Sequence, residues 1–171
     1  VLHYGSVPST DLATWDFRVW GEAAEPFSFT WDEFRAMPRK ALVTDIHCVT
    51  RWTRLDAAFE GVPIQHILER AGVRSSAKFV LAHSEQGYTA NMPLEVLDDD
   101  DVLLCDMADG APLTPDHGYP LRLLVPKRYF WKSAKWIRGL ELLDHDVAGF
   151  WERYGYHNDA DPWKEERFSG D

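Results

Sequence analysis

The stretch Val43-Thr-Asp-Ile-His-Cys-Val-Thr-Arg-Trp52 constrains this chain more than any other. Val43, Ile46 and Val49 favour extended backbone, while Asp45, His47, Cys48, Thr50 and Arg51 gather polar and reactive groups toward its exit, where functional residues concentrate. The segment reads as a strand that delivers a thiol. A cysteine flanked by a histidine, a threonine and an arginine is in a setting that favours the thiolate, the form that attacks electrophiles and binds soft metals. Taken alone, however, a single Cys on an apolar strand is more often an inert small hydrophobe.

Short strands and scattered short helices surround that segment. Trp15 to Trp20 alternates apolar and polar groups up to Gly21, and Thr30-Trp-Asp-Glu33 matches a capping box that opens a short helix to about Met37, before Pro38. Trp52 to Phe59 is extended or turn; a helix follows Gly61-Val-Pro63, with Ile64, Ile67 and Leu68 on one stripe and Gly72 at its stop. Lys78 to His83 reads as a buried strand, Gly87 to Pro93 leads into a short helix at Leu94 to Leu97, and Asp101 to Met107 is a strand before the hairpin signal Asp109-Gly110. Lys135 to Leu143 is the final strand, followed by a tail rich in aromatic and charged groups. The pattern predicts an α+β fold rather than a doubly wound sheet, and 171 residues suit one domain over 1–171.

Composition narrows the chemistry. A net charge of −10 argues against nucleic acid as a partner, and no run approaches the roughly 18 to 20 apolar residues of a membrane span. The two cysteines, Cys48 and Cys105, occur without C-x-x-C, C-x-x-C-H or H-E-x-x-H, which excludes a disulfide scaffold and gives no support for zinc, an iron-sulfur cluster or a c-type haem. Cys105, in Val102-Leu-Leu-Cys-Asp106, reads as a core strand residue, with a bridge to Cys48 left open by the sequence. The chain begins with Val and shows no signal peptide, so the expected location is the cytoplasm.

Against the acidic background, Lys127 to Arg138 places five cations and no acid in twelve residues. An anion is the expected guest, with an ordinary basic surface strip as the alternative. His117, Arg122, Ser133 and Lys135 together supply charge-assisted donors, partly bidentate, of the kind that suit a phosphate. The interleaved aromatics would also fit single-stranded nucleic acid, but the net charge opposes that reading.

The Cys48 stretch, together with His117-Gly-Tyr-Pro-Leu-Arg122, Lys132-Ser-Ala-Lys-Trp136 and Phe150-Trp-Glu-Arg-Tyr-Gly-Tyr156, resembles the molybdopterin-binding domain of the sulfite oxidase family. The likeness runs from about His3 to Phe168 and is strongest to small bacterial members, with the catalytic subunit of methionine sulfoxide reductase as a relative. It implies a mixed-sheet, barrel-like α+β domain, a molybdenum-molybdopterin cofactor and Cys48 as metal ligand. On the same basis His117, Arg122 and Lys135 hold the cofactor's phosphate and pterin ring, Lys132 and Ser133 assist, and Trp131 and Trp136 pack. His3 and Tyr4 fall where relatives place polar cofactor contacts, Tyr88 and Thr89 lie near the pterin, and Tyr156 lies on the substrate-facing side of the metal. His47 and Thr50 flank the ligand on the cofactor side, and Arg51 is the one arginine close behind it.

The implied reaction is two-electron oxygen-atom transfer. Sulfite-oxidising relatives follow the ligand cysteine with an arginine-rich segment, whereas Cys48 is followed by Val-Thr-Arg-Trp-Thr. That departure favours a neutral sulfoxide or N-oxide over sulfite. No haem or flavin motif is present, so a separate electron donor or acceptor protein is expected. Two other classes stay open: a cysteine-nucleophile enzyme using Cys48, and a molybdopterin-binding module without turnover.

Overall fold

The computed structural model describes residues 1–171. In chain order the elements are β1 (Asp16–Gly21), β2 (Phe27–Thr30), α1 (Trp31–Arg35), β3 (Lys40–Cys48), β4 (Trp52–Pro63), α2 (Ile64–Ala71), β5 (Phe79–Ser84), β6 (Thr89–Pro93), α3 (Leu94–Leu97), β7 (Leu103–Ala108), β8 (Ala111–Pro112), β9 (Arg122–Leu124) and β10 (Ile137–Leu143). They form two sheets, one ordered β2-β1-β10-β5-β6 and the other β3-β4-β7-β8 with β9 also paired to β7. All neighbours are antiparallel except β1 and β10, which run parallel with Arg18 opposite Gly139. The α+β class is as expected.

Local signals set most of the element ends. Thr30 and Glu33 form the full capping box: the Glu33 N–H donates to Thr30 Oγ1 and the Thr30 N–H donates to Glu33 Oε2. Gly72 ends α2 in the left-handed region at φ 60°, and Asp109 and Gly110 turn the β7–β8 hairpin at φ 52° and 77°. Three features differ from the sequence expectation. Helix α1 stops at Arg35, β4 continues through Gly61 to Pro63, and β6 and β9 are strands where the sequence reading placed none. In each strand case pairing with a neighbour decides: β4 gains β7, β6 gains β5, and β9 gains β7.

Two apolar cores result. The larger joins the first sheet to α1 and α2 through Trp15, Phe17, Phe29, Phe34, Ile64, Ile67 and Leu140, with Phe17 and Phe29 stacked at 4.9 Å. The smaller gathers Ile46, Ala57, Phe59, Leu103, Cys105 and Leu124, with Phe130 packed against it. Cys105 is fully buried there, and burial pushes its thiol pKa far up, so it is a core residue; both cysteines are free thiols. This second core carries the Cys48 end of β3 on its edge.

Candidate active site

Cys48 is the last residue of β3, half-buried, with its Sγ 3.0 Å from the Thr50 hydroxyl. The chain then turns sharply: the Arg51 N–H donates to the Cys48 carbonyl at 3.0 Å, and Arg51 holds a left-handed φ of 69° before Trp52 opens β4 opposite Cys48. This tight reversal places the thiol and the Arg51 side chain on one cleft of about 330 Å³, lined also by His47, Trp52, Thr53, Tyr129, Pro162, Glu165 and Arg167. His47 Nδ1 lies 2.9 Å from the Thr53 hydroxyl, and the ring meets Trp163 edge-on at 5.2 Å.

His117, Arg122 and Lys135 converge in a second cluster. Gly118, at φ 113°, makes the convergence possible, since a Cβ there would sit 3.1 Å from that of Arg122 and 3.2 Å from that of Lys135. The buried Arg122 guanidinium donates to the carbonyls of His117 (3.1 Å) and Ser133 (2.9 Å) and lies over the Phe130 ring, leaving its buried Nε without a partner. Lys135 donates to the carbonyls of Leu2 and Asp116, both at 2.9 Å. None of the three forms an ion pair with a carboxylate. Burial, with Arg122's charge as the next cause, brings Lys135 down to about 8 and lowers His117, and burial brings Arg122 to about 10. Cations held together without a carboxylate partner are an arrangement that a phosphate relieves.

A pH dependence follows from Lys135. Its folded-state pKa of about 8 lies below its usual 10.5, so between those values the unfolded chain binds a proton that the folded chain does not. In protein made without cofactor, stability should therefore rise with pH across that window. Urea midpoints at pH 8 and pH 10 are expected to show a rise in wild type that is smaller in Lys135→Met.

Four consecutive residues after β9 touch every part of the region. Tyr129 lines the Cys48 cleft, Phe130 underlies Arg122, Trp131 stacks on Tyr129 (5.6 Å, 9°) and meets Tyr156 edge-on at 4.9 Å, and Lys132 is fully buried. The Lys132 ammonium donates to Asn91 O (2.7 Å), Asn91 Oδ1 (3.0 Å) and Asn158 O (2.7 Å) and pairs with Glu152 at 2.7 Å. All of its donors are thus engaged inside the chain, and its position is that of an anchor beneath the loop. Ser133 is buried as well, its Oγ accepting from the Val125 N–H at 2.9 Å.

The remaining expected residues surround this loop. The Tyr88 hydroxyl donates to Trp131 O at 2.6 Å, and burial pushes its pKa strongly up; the neighbouring Thr89 Oγ1 is buried without a partner. Tyr156 stacks on Trp151 at 5.1 Å and pairs with Phe168. It does not line the Cys48 cleft itself but stands behind Tyr129 and Trp131. His3 meets the buried Trp136 edge-on at 5.7 Å, and Tyr4 lies 4.4 Å from Phe150, so the exposed N-terminal segment does fold back over this face. Sequence reading missed Tyr129, Pro162, Glu165 and Arg167 in the cleft and Trp163 against the His47 ring. Tyr129 sat in plain view within the basic, aromatic stretch, whereas nothing in the sequence tied residues 162 to 167 to Cys48.

The family model for oxidoreductase molybdopterin binding domains matches residues 4–151. An uncharacterised oxidoreductase of Bacillus subtilis is 45% identical over 172 residues, covering 100% of this chain and 87% of its own. The catalytic subunit of the protein-methionine-sulfoxide reductase of Xanthomonas axonopodis is 27% identical over 172 residues, covering 88% of this chain and 53% of its own. Among solved structures, the sulfane dehydrogenase SoxCD of Paracoccus pantotrophus superposes with a TM-score of 0.77 and 25% identity, over 85% of this chain and 42% of that one. The chain thus spans about half the length of the last two.

Proposed function

The chain belongs to the oxidoreductase molybdopterin binding domain family, whose members include oxidoreductases on the same sulfite oxidase-like fold, and from that premise we propose two-electron oxygen-atom transfer on a small sulfur or nitrogen oxide. The observation that carries the reading is the placement of Cys48: a half-buried thiol on a strand end, opening on a cleft with two arginines, joined through one turn to an unpaired cationic cluster. The residues present fit the cofactor. Cys48 supplies a soft sulfur ligand, while His117, Lys135 and the unpartnered Arg122 Nε suit its phosphate. Tyr88, Thr89, His3 and Tyr4 stand around the same face as candidate pterin contacts.

When bound, molybdenum-molybdopterin supplies the two-electron redox change that oxygen-atom transfer requires. The chain's part is binding, orientation and exclusion of water. Thr50 holds the Cys48 sulfur in place, His47 is fixed by Thr53 and Trp163, and Arg51 offers an exposed guanidinium at the mouth of the cleft. Tyr156 and Tyr88 brace the turn that carries Tyr129 into the cleft. Lys132 and Ser133 fix that turn from beneath. Electrons would pass to or from a separate protein. For a cysteine nucleophile no base is in hydrogen-bond contact with the thiol, since the side-chain partner of Cys48 is Thr50.

Elemental and pterin analysis of protein purified from a molybdopterin-making host tests the reading. About one molybdenum and one pterin per chain are expected, with metal spectra that respond to a sulfur or nitrogen oxide. Protein with neither metal nor pterin under adequate cofactor supply would remove the proposal. Metal without any redox response would leave a binding module instead.

A further inference from the structure

The Cys48 sulfur makes one hydrogen bond within the chain, to the Thr50 hydroxyl at 3.0 Å. The hairpin turn creates it. The Arg51 N–H donates to the Cys48 carbonyl at 3.0 Å, Arg51 reverses the chain at φ 69°, and Trp52 returns opposite Cys48, so the side chains of Cys48 and Thr50 meet on one side of the turn. The branched Cβ of Thr50 restricts its rotamers, and its hydroxyl meets no other partner in the chain.

The other polar groups of the cleft are turned elsewhere. His47 Nδ1 lies 2.9 Å from the Thr53 hydroxyl, and the Arg167 guanidinium donates to the Tyr129 hydroxyl and lies over the Tyr129 ring. Arg51 lines the same cleft but makes no hydrogen bond to the sulfur. Chemistry then fixes the direction of the bond between Cys48 and Thr50. In the free thiol either atom can donate, whereas a cysteine that binds a metal has lost its proton and can only accept. Thr50 must be the donor.

We propose that Thr50 is a positioning residue that acts through Cys48: its hydroxyl donates to the thiolate, draws charge off the sulfur and raises the reduction potential of the metal that the sulfur binds. This inference rests on the proposed function and adds what sets the potential of its metal centre. A hydrogen bond to a charged acceptor is stronger than one between neutral groups, and donors to a metal's ligands tune both ligand basicity and potential. The reduced centre carries more negative charge than the oxidised one, so it gains more from the donor and the equilibrium moves toward reduction. One electron enters the metal in this couple, while the Thr50 proton stays on its oxygen.

The test is a potentiometric titration of the full-length holoenzyme with dithionite as reductant and ferricyanide as oxidant, followed by electron paramagnetic resonance of the one-electron-reduced metal, with molybdenum and pterin measured on the same samples. Thr50→Val keeps the branched shape and removes the hydroxyl. It should lower the reduced-to-oxidised ratio at fixed potential about three- to tenfold, or ~30–60 mV at about 59 mV per tenfold for one electron. Thr50→Ser, which keeps the hydroxyl and loses the methyl, should hold the wild-type potential. Thr50→Ala should act in the same direction as Thr50→Val but by less, since the vacated space admits a water donor, and it decides the matter if Thr50→Val does not keep its metal. A wild-type potential in the metal-loaded variant without the hydroxyl would overturn the proposal. An equal shift in Thr50→Ser would overturn it too, because the effect would then follow the shape of the turn. Loss of molybdenum from Thr50→Val and Thr50→Ala alike would also overturn it, by making the hydroxyl a requirement for holding the metal rather than for its potential. Wild type without molybdenum would remove the proposed function and this inference together, whereas metal-loaded protein with a potential insensitive to Thr50 removes this inference alone.

Discussion

Cys48→Ala, purified from a host that makes molybdopterin, is expected to keep the wild-type circular dichroism and lose turnover by at least about a thousandfold, on the order of 4 kcal/mol of barrier. The fold does not depend on this side chain. Cys48 sits half-buried at a strand end, its strand is held by the register with β4, and its one side-chain partner is the exposed Thr50. Truncation should therefore cost less than about 1 kcal/mol of stability, within the range of substitutions away from cores and buried networks. The metal should depend on it far more, since no other cysteine lines the cleft and Cys105 is locked in the core. Metal spectra separate the possible causes: the variant should show an altered or absent metal signal even where pterin is retained through the cationic cluster. Turnover above about a tenth of wild type would show that Cys48 is not the ligand. Cys48→Ser refines the test, because it retains the contact to Thr50 while replacing the soft sulfur by a hard oxygen.

Lys132→Met should produce the largest loss of stability. The substitution conserves length and apolar volume but removes a fully buried ammonium whose partners are Glu152, Asn91 and the Asn158 carbonyl. Burial lowers the Lys132 pKa, with the charge of Glu152 opposing that effect, so the ion pair offsets a real desolvation cost. Removing one partner leaves the Glu152 side chain, 3% exposed, as an uncompensated buried charge with the Trp131 Nε1–H at 2.8 Å as its remaining donor. Breaking such a pair costs about 3–5 kcal/mol, or roughly 6–20 °C in Tm for a domain of this size. Because the network anchors the turn that carries Tyr129, Phe130 and Trp131, cofactor retention should fall with stability. The double variant Lys132→Met/Glu152→Gln should recover part of the loss in a calorimetric scan. No recovery would place the effect in the unmatched Asn91 and Asn158 carbonyls rather than in the charge on Glu152.

The motifs that carried the sequence reading are those in which neighbours along the chain are also neighbours in space. Thr30 and Glu33 cap their helix within one turn, and Val43 to Trp52 makes strand, thiol and reversal from adjacent residues. His117, Arg122 and Lys135 could be named because they recur in family order, and a single close approach at Gly118 brings them together. Lys132 shows where adjacency misleads. It lies three residues from Lys135, yet its side chain enters the core while that of Lys135 stays half-buried beside Asp116. Nothing in the local composition distinguishes the two lysines, because the difference lies in Asn91, Glu152 and Asn158, which arrive from distant parts of the chain.

The sequence by itself determined the α+β class, the thiol-bearing strand end, the cationic cluster and the cofactor family, since each rests on local propensity or on motif order. Only the tertiary structure decided which cation is buried and which faces the site, that β4, β6 and β9 extend by pairing, and that Arg167 and Tyr129 share a cleft with Cys48. The physical reason is that strand pairing, burial and convergence of charge depend on contacts between distant residues, which no local pattern encodes.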